Sequence, residues 1–176
     1  TAPQQRALFR LTLHNRDHLM AEMPMRICHP PMESLEWQNK TGSDPKNWPW
    51  SYHNGGHWPS LLWFFGGSIL LHERRHPHAD VLLMGQMKAL LEECYWSHLN
   101  QLPRQQWAEY FDGPTGTWVG QQSRTYQTWT IVGFLLLHHF LRVNPDDVLL
   151  LDLDEGAVPD PADEELEESH SDLDQD

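Results

Sequence analysis

Three apolar runs of helical length, separated by long stretches rich in rings, Pro and Gly, set what this chain can become. The run "PSLLWFFGGSILLHERR", Pro59 to Arg75, opens on a Pro suited to a first turn and closes in cations, as the two ends of a helix favour. Gly66 and Gly67 at its centre weaken a helix, so they predict a close approach to a neighbouring one. From about Ala79 to Leu99, the residues Leu82, Leu83, Gln86, Met87, Leu90, Leu91 and Cys94 recur at three- and four-residue spacing, an amphipathic stripe. The third run, "YQTWTIVGFLLLHHFLR", is apolar nearly all round over about Tyr126 to Leu141, which predicts burial on every side. It should stop before Asn144-Pro145, because a residue preceding Pro is pushed out of the helical region. No run reaches the roughly 18 apolar residues that a bilayer span needs, so no membrane contact is expected.

The connections are as informative as the helices. "QQRALFRLTLHNRDHLM" reads as a weaker helix, and "MPMRICHPPMESLEW" as an extended segment entering a Pro-rich turn. "DPKNWPWSYHNGGHWP", Asp44 to Pro59, then packs three Trp, one Tyr, two His, three Pro and two Gly into sixteen positions, a mixture that suits neither helix nor strand. A sugar is held by stacking its C–H face on a ring while polar groups read its hydroxyls, so Trp50, Tyr52, His53 and Asn54 form a candidate carbohydrate site. The competing reading makes the Trp residues anchors of the loop. Gly55-Gly56 allows a sharp backbone turn into the following helix. A second long connection, "PRQQWAEYFDGPTGTWVGQQSR", holds the turn signal "DGPTG". Long loops inside compact domains are usually functional.

Charge divides the chain. The formal net charge is -13, but the twelve Asp and Glu from Asp152 onward, with no Lys or Arg among them, account for all but one unit of it. The reading is therefore a folded portion over 1–148 and an acidic, disordered tail over 149–176. Without a cluster of Lys and Arg, nucleic acid is not an expected partner. Cys28 and Cys94 form no CxxC pair, which indicates neither zinc nor a disulfide framework, and the start of the chain has no apolar run of signal-peptide type. A soluble, cytoplasmic protein is expected. His53 and His57, and His72 and His76, stand four apart, but no HExxH pattern occurs and cations flank the second pair. These histidines are read as surface or capping residues, with no metal and no cofactor.

Three stretches carry a family resemblance. "MPMRICHPPMESLEW", "TGSDPKNWPWSYHNGGHWPSLLW" and "WAEYFDGPTGTWVGQQSRTYQTWTIVGFLL" resemble the C-terminal third of the alkaline/neutral invertases, glycoside hydrolase family 100, over roughly Leu8 to Asn144. The resemblance implies an all-α fold, the C-terminal part of an (α/α)6 barrel with long aromatic loops, incomplete as given. It implies hydrolysis of sucrose to glucose and fructose with inversion, through a carboxylic acid and a carboxylate on opposite sides of the bond. Glu109, in "WAEYFDG", matches the family's "EYYDG", whose Glu is the general base, with Phe111 in place of the second Tyr. Its aromatic neighbours Trp107, Tyr110 and Phe111 suit a partly desolvated, more basic carboxylate. Asp112 is read as shaping the turn. The family's general-acid Asp lies upstream of everything in this chain.

The resemblance also places Arg124, in "QQSRTYQTW", toward the sugar, with Gln121 and Gln127 as helpers or, for a Gln ahead of a helix, as caps. His53, Trp50 and Asn54 are the substrate-binding candidates of the first loop, whereas Trp48 stands where the family often has a small or polar residue. A homo-oligomer is expected of the full-length enzyme. The alternative is a non-catalytic remnant that binds sugar or assembles with another chain.

Overall fold

The computed structural model describes residues 2–33, 35–41 and 44–151. Helix α1, Ala2–His14, breaks at Asn15 and resumes as the short α2, Arg16–Leu19; α3 covers Glu36–Thr41, α4 Ser60–Arg75 and α5 Val81–Gln101. A two-stranded hairpin, β1 Phe111–Asp112 and β2 Trp118–Val119, precedes α6, Thr128–His138. The last helix then widens into a π turn, His139–Val143, and a 3-10 turn, Pro145–Leu151, follows. The described residues are mostly helical, as an all-α reading requires. The expected boundary at 148/149 falls within the 3-10 turn, and residues 152–176, most of the expected acidic tail, lie outside the described residues.

Glycines set how closely α4 and α6 approach. A Cβ at Gly66 would stand 2.6 Å from Leu137 Cδ1 and 2.9 Å from Leu91 Cδ1, so α6 and α5 both seat leucines on it. Across the same interface a Cβ at Gly133 would lie 2.4 Å from Trp63 Cδ1. The weak points read from the sequence are thus contact points. Helix α5 is buried along Leu83, Met84, Met87, Leu90, Leu91, Cys94, Tyr95 and His98. Leu82 and Gln86, expected in that stripe, are exposed, because α5 is clamped between α1 and the α4–α6 pair and its buried face is turned accordingly.

Helix α6 departs from expectation in a more telling way. Thr130, Gly133, Phe134 and Leu137 are buried, but Trp129, Val132 and Leu135 are exposed, so the helix is covered on one side only. The histidine reading also needs correction. His57 and His72 are buried rather than superficial: His72 Nδ1 lies 2.9 Å from Gln5 Oε1 and its ring meets the Phe9 edge at 5.4 Å.

Non-local backbone pairing, absent from any sequence periodicity, organises the loops. Arg26 bridges His57, His57 bridges Phe111, and Phe111 pairs with Val119, each antiparallel. The segment read as extended, Met23 to Pro31, is thereby the outer member of a small four-segment ladder. Helix α3, too short to show a period, slides Trp37 under Trp48, with ring centroids 5.0 Å apart.

Two consequences are measurable. Gly133→Ala should destabilise the chain by about 1–3 kcal/mol through overpacking against Trp63, whereas Gly85→Ala, with nothing within 4 Å, should gain up to about 1 kcal/mol of helix propensity; urea melts of both variants check this. Burial lowers His57 and His98 from 6.5 to about 4, so both are neutral in the folded state while the unfolded chain binds their protons below about pH 6.5. Their contribution is therefore complete above pH 6.5 and is lost as pH falls toward 4, by up to about 3 kcal/mol each. Thermal melts across that window should show the loss, and His98→Gln, which keeps a donor for the Pro24 carbonyl, should flatten the slope.

Candidate active site

The loop between α3 and α4 is held open by its own polar groups. Asp44 Oδ1 accepts from Lys46 N at 2.9 Å and starts the first turn. The chain then places Trp50 (φ 71°), Tyr52 (φ 43°) and Gly55 (φ 95°) in left-handed conformations, which only Gly adopts without strain. The Asn54 amide over-determines that path. Its Oδ1 accepts from Met32 N at 2.7 Å, and its Nδ2 donates to Met32 O at 2.9 Å and Asn47 O at 3.0 Å. Asn54 is fully buried, and both amide hydrogens are engaged by backbone. The sugar contact expected of it is taken by a structural duty: it staples the loop to the segment ahead of α3.

Rings from both loops meet at one place. Tyr52 stacks on His53 at 3.9 Å, His53 lies 5.1 Å from Trp58, and Trp58 stacks on Tyr110 of the second loop at 5.2 Å. Tyr52 closes the group edge-on to Tyr110 at 5.0 Å. Trp58 is buried with its Nε1 donating to Tyr52 O at 3.0 Å, which makes it an anchor. Trp50 is half-buried, and one face of its indole covers the Arg26 guanidinium at 4.7 Å. Burial, and after it the Lys46 cation, lower the His53 pKa against the opposing pull of Asp44 and Glu109, so His53 is neutral at pH 7 and offers both a donor and an acceptor.

Glu109 is half-buried and fixed through its backbone. Its N–H is shared between Arg124 O at 2.9 Å and Ser123 Oγ at 3.1 Å, and its Oε2 accepts from Arg124 N at 3.4 Å. The peptide of Arg124 therefore steadies Glu109, while the Arg124 side chain is exposed beside it. Gln121 is exposed as well; its carbonyl accepts from the Tyr110 hydroxyl, and its N–H donates to Asp112 Oδ2 at 3.0 Å. Asp112 thus shapes the hairpin, as its place before the turn predicts. Burial, reinforced by Asp112, raises the Tyr110 pKa and keeps the phenol protonated. Gln127 is a cap, its Oε1 accepting from Thr128 N at 2.9 Å.

The structure thus brings Glu109, His53, Trp50, Arg124 and Gln121 to the two facing loops and withdraws Asn54 into their scaffold. Lys46, whose Nζ lies 4.2 Å above the Tyr52 ring, and Ser123 were not read from the sequence as site residues. Their roles depend on which rings and amides the fold sets against them. Among the described residues no group of three or more His, Cys, Asp or Glu is arranged to hold a metal ion. A cleft of about 790 Å³ between α4, α5 and the π turn contains none of the candidates, and its Glu73 carboxylate is paired with Lys88 at 2.7 Å.

The profile of the alkaline and neutral invertases matches residues 1–145. A probable alkaline/neutral invertase A, chloroplastic, of Arabidopsis thaliana is 42% identical over 146 residues, which is 83% of this chain and 21% of the relative. Alkaline/neutral invertase C, mitochondrial, of the same plant is 46% identical over 119 residues, 68% of this chain and 16% of its own length. Cytosolic invertase 1 of Oryza sativa subsp. japonica is 34% identical over 161 residues, 92% of this chain and 26% of its own. The chain spans about a quarter or less of the length of these relatives. With the family profile extending over the helices and both loops alike, this chain belongs to the alkaline and neutral invertase family.

Proposed function

We propose that this chain is the part of a sucrose-cleaving invertase that supplies the general base and one wall of the sugar pocket. The observation that supports the reading is the half-buried Glu109 carboxylate, fixed through its own peptide on the loop whose Tyr110 joins Tyr52, His53 and Trp58 in the ring cluster. In an inverting hydrolysis Glu109 takes a proton from water as the water oxygen bonds to the glucosyl carbon. The bond from that carbon to the fructosyl oxygen breaks, and a carboxylic acid from outside this chain protonates the leaving oxygen.

Binding divides among the other residues by chemistry. His53 reads hydroxyls with one donor and one acceptor, the Trp50 ring offers a stacking surface, and the Arg124 fork with the Gln121 amide reaches from the rim. The exposed apolar side of α6, Trp129, Val132 and Leu135, supports a chain that works within a larger unit, since such a stripe is ordinarily covered. The same stripe favours the second reading, a non-catalytic piece that binds sugar or assembles with another chain. On the leading reading the full-length enzyme acts in the cytosol, as the name of the rice relative says of that protein, and forms a homo-oligomer.

In the full-length enzyme carrying this segment, Glu109→Gln should lower kcat for sucrose by about 10²–10⁴-fold, with sucrose binding by calorimetry nearly unchanged. Retained turnover would remove Glu109 from the mechanism. The chain of 176 residues alone should release no glucose from sucrose. Turnover by that chain would overturn the assignment of the acid to another part of the protein.

A further inference from the structure

We propose that Arg26 is a positioning residue, its buried guanidinium joining the loop that bears His53 to the loop that bears Glu109 and setting the spacing between them. The inference rests on the reading of Glu109 as general base. Arg26 is 2% exposed, and the ion pairs found among the described residues do not include it. Its charge is met by carbonyl dipoles instead. Nε donates to His18 O at 2.5 Å, Nη1 to Gly55 O at 3.1 Å and Nη2 to Pro114 O, while Trp50 covers the guanidinium face. Three directions of one rigid plane thus hold three segments: the end of α2, the first loop and the β1–β2 turn.

A buried cation without a carboxylate is costly unless dipoles are already aimed at it, so the carbonyls must keep their places for the side chain to remain inside. The two loop carbonyls are close in sequence to the candidate residues. Gly55 follows His53 by two positions, and Pro114 sits on the hairpin whose first strand begins two residues after Glu109. The Arg26 backbone repeats the link, since Arg26 bridges His57 and His57 bridges Phe111. Lysine, with one nitrogen and no planar fork, cannot serve the three carbonyls in the same directions.

Amide hydrogen exchange and steady-state kinetics on Arg26→Lys and Arg26→Met test the proposal. In this chain, both variants should speed exchange at His57, Phe111 and Gly113, with α4 and α5 core amides unchanged and Arg26→Lys the milder. Unchanged loop exchange, or uniform loss of protection everywhere, overturns the proposal. In the full-length enzyme, kcat for sucrose should fall about 10–100-fold in Arg26→Met with KM within about threefold, the signature of a misplaced base, and Arg26→Lys should recover part of it. Equal kcat in an active wild type and a folded Arg26→Met overturns the proposal too. A wild-type enzyme inactive on sucrose instead overturns the invertase reading, and loop exchange then decides the role of Arg26 alone.

Discussion

The reciprocal backbone bond between His57 and Phe111 is the constraint on which the site depends. Each N–H donates to the other's carbonyl at 2.8 Å, and this exchange brings two loops, more than fifty residues apart in sequence, to one line. Buried peptide groups must be paired, and the loops have no helix in which to pair them. They pair with each other and with the segment at Arg26. From that ladder follow the stacking of Trp58 on Tyr110 and the edge-on contact of Tyr52 with the same ring. A ladder of single-residue bridges is weak by itself. Its reinforcement comes from side chains that bond to backbone, Asn54 within the first loop and Arg26 from the outer segment.

Below the ladder, the helices supply a rigid floor. The α4–α6 contact works because glycine on each helix admits a large side chain from the other, Leu137 onto Gly66 and Trp63 onto Gly133. Both loops are anchored at the starts of these helices, so the separation of α4 and α6 is also the separation of the loop ends. Fold and site are connected through that distance. The uncovered side of α6 gives the floor a direction, with one face toward the core and the other offered to further structure.

Much of this was legible in the residues. The three main helices stood out because apolar period and length agree, and the turn, though not the two strands it joins, because Asp112-Gly113-Pro114 precedes a second Gly. The loop's mixture of rings and polar tips pointed to the segment where Tyr52, His53 and Trp58 gather. Asn54 was misjudged for a physical reason: an amide suits a sugar hydroxyl and a peptide equally well, and only the position of Met32 and Asn47 decides between them. The same holds for His57 and His72, whose spacing describes a helix face but not what lies against it.

Local chemistry is therefore what the sequence determined alone: which segments coil, where the chain turns, and which loop carries the carboxylate and which the rings. These depend on neighbours within a few positions, where periodicity, capping and Pro or Gly geometry act. Tertiary structure alone decided which polar groups remain available. Arg26, Asn54, His57 and Tyr110 are as polar in the sequence as Glu109 and His53, yet the first four are buried in the joint while His53 is exposed and Glu109 half so. That division follows from pairing between distant peptides, and no short-range pattern encodes it.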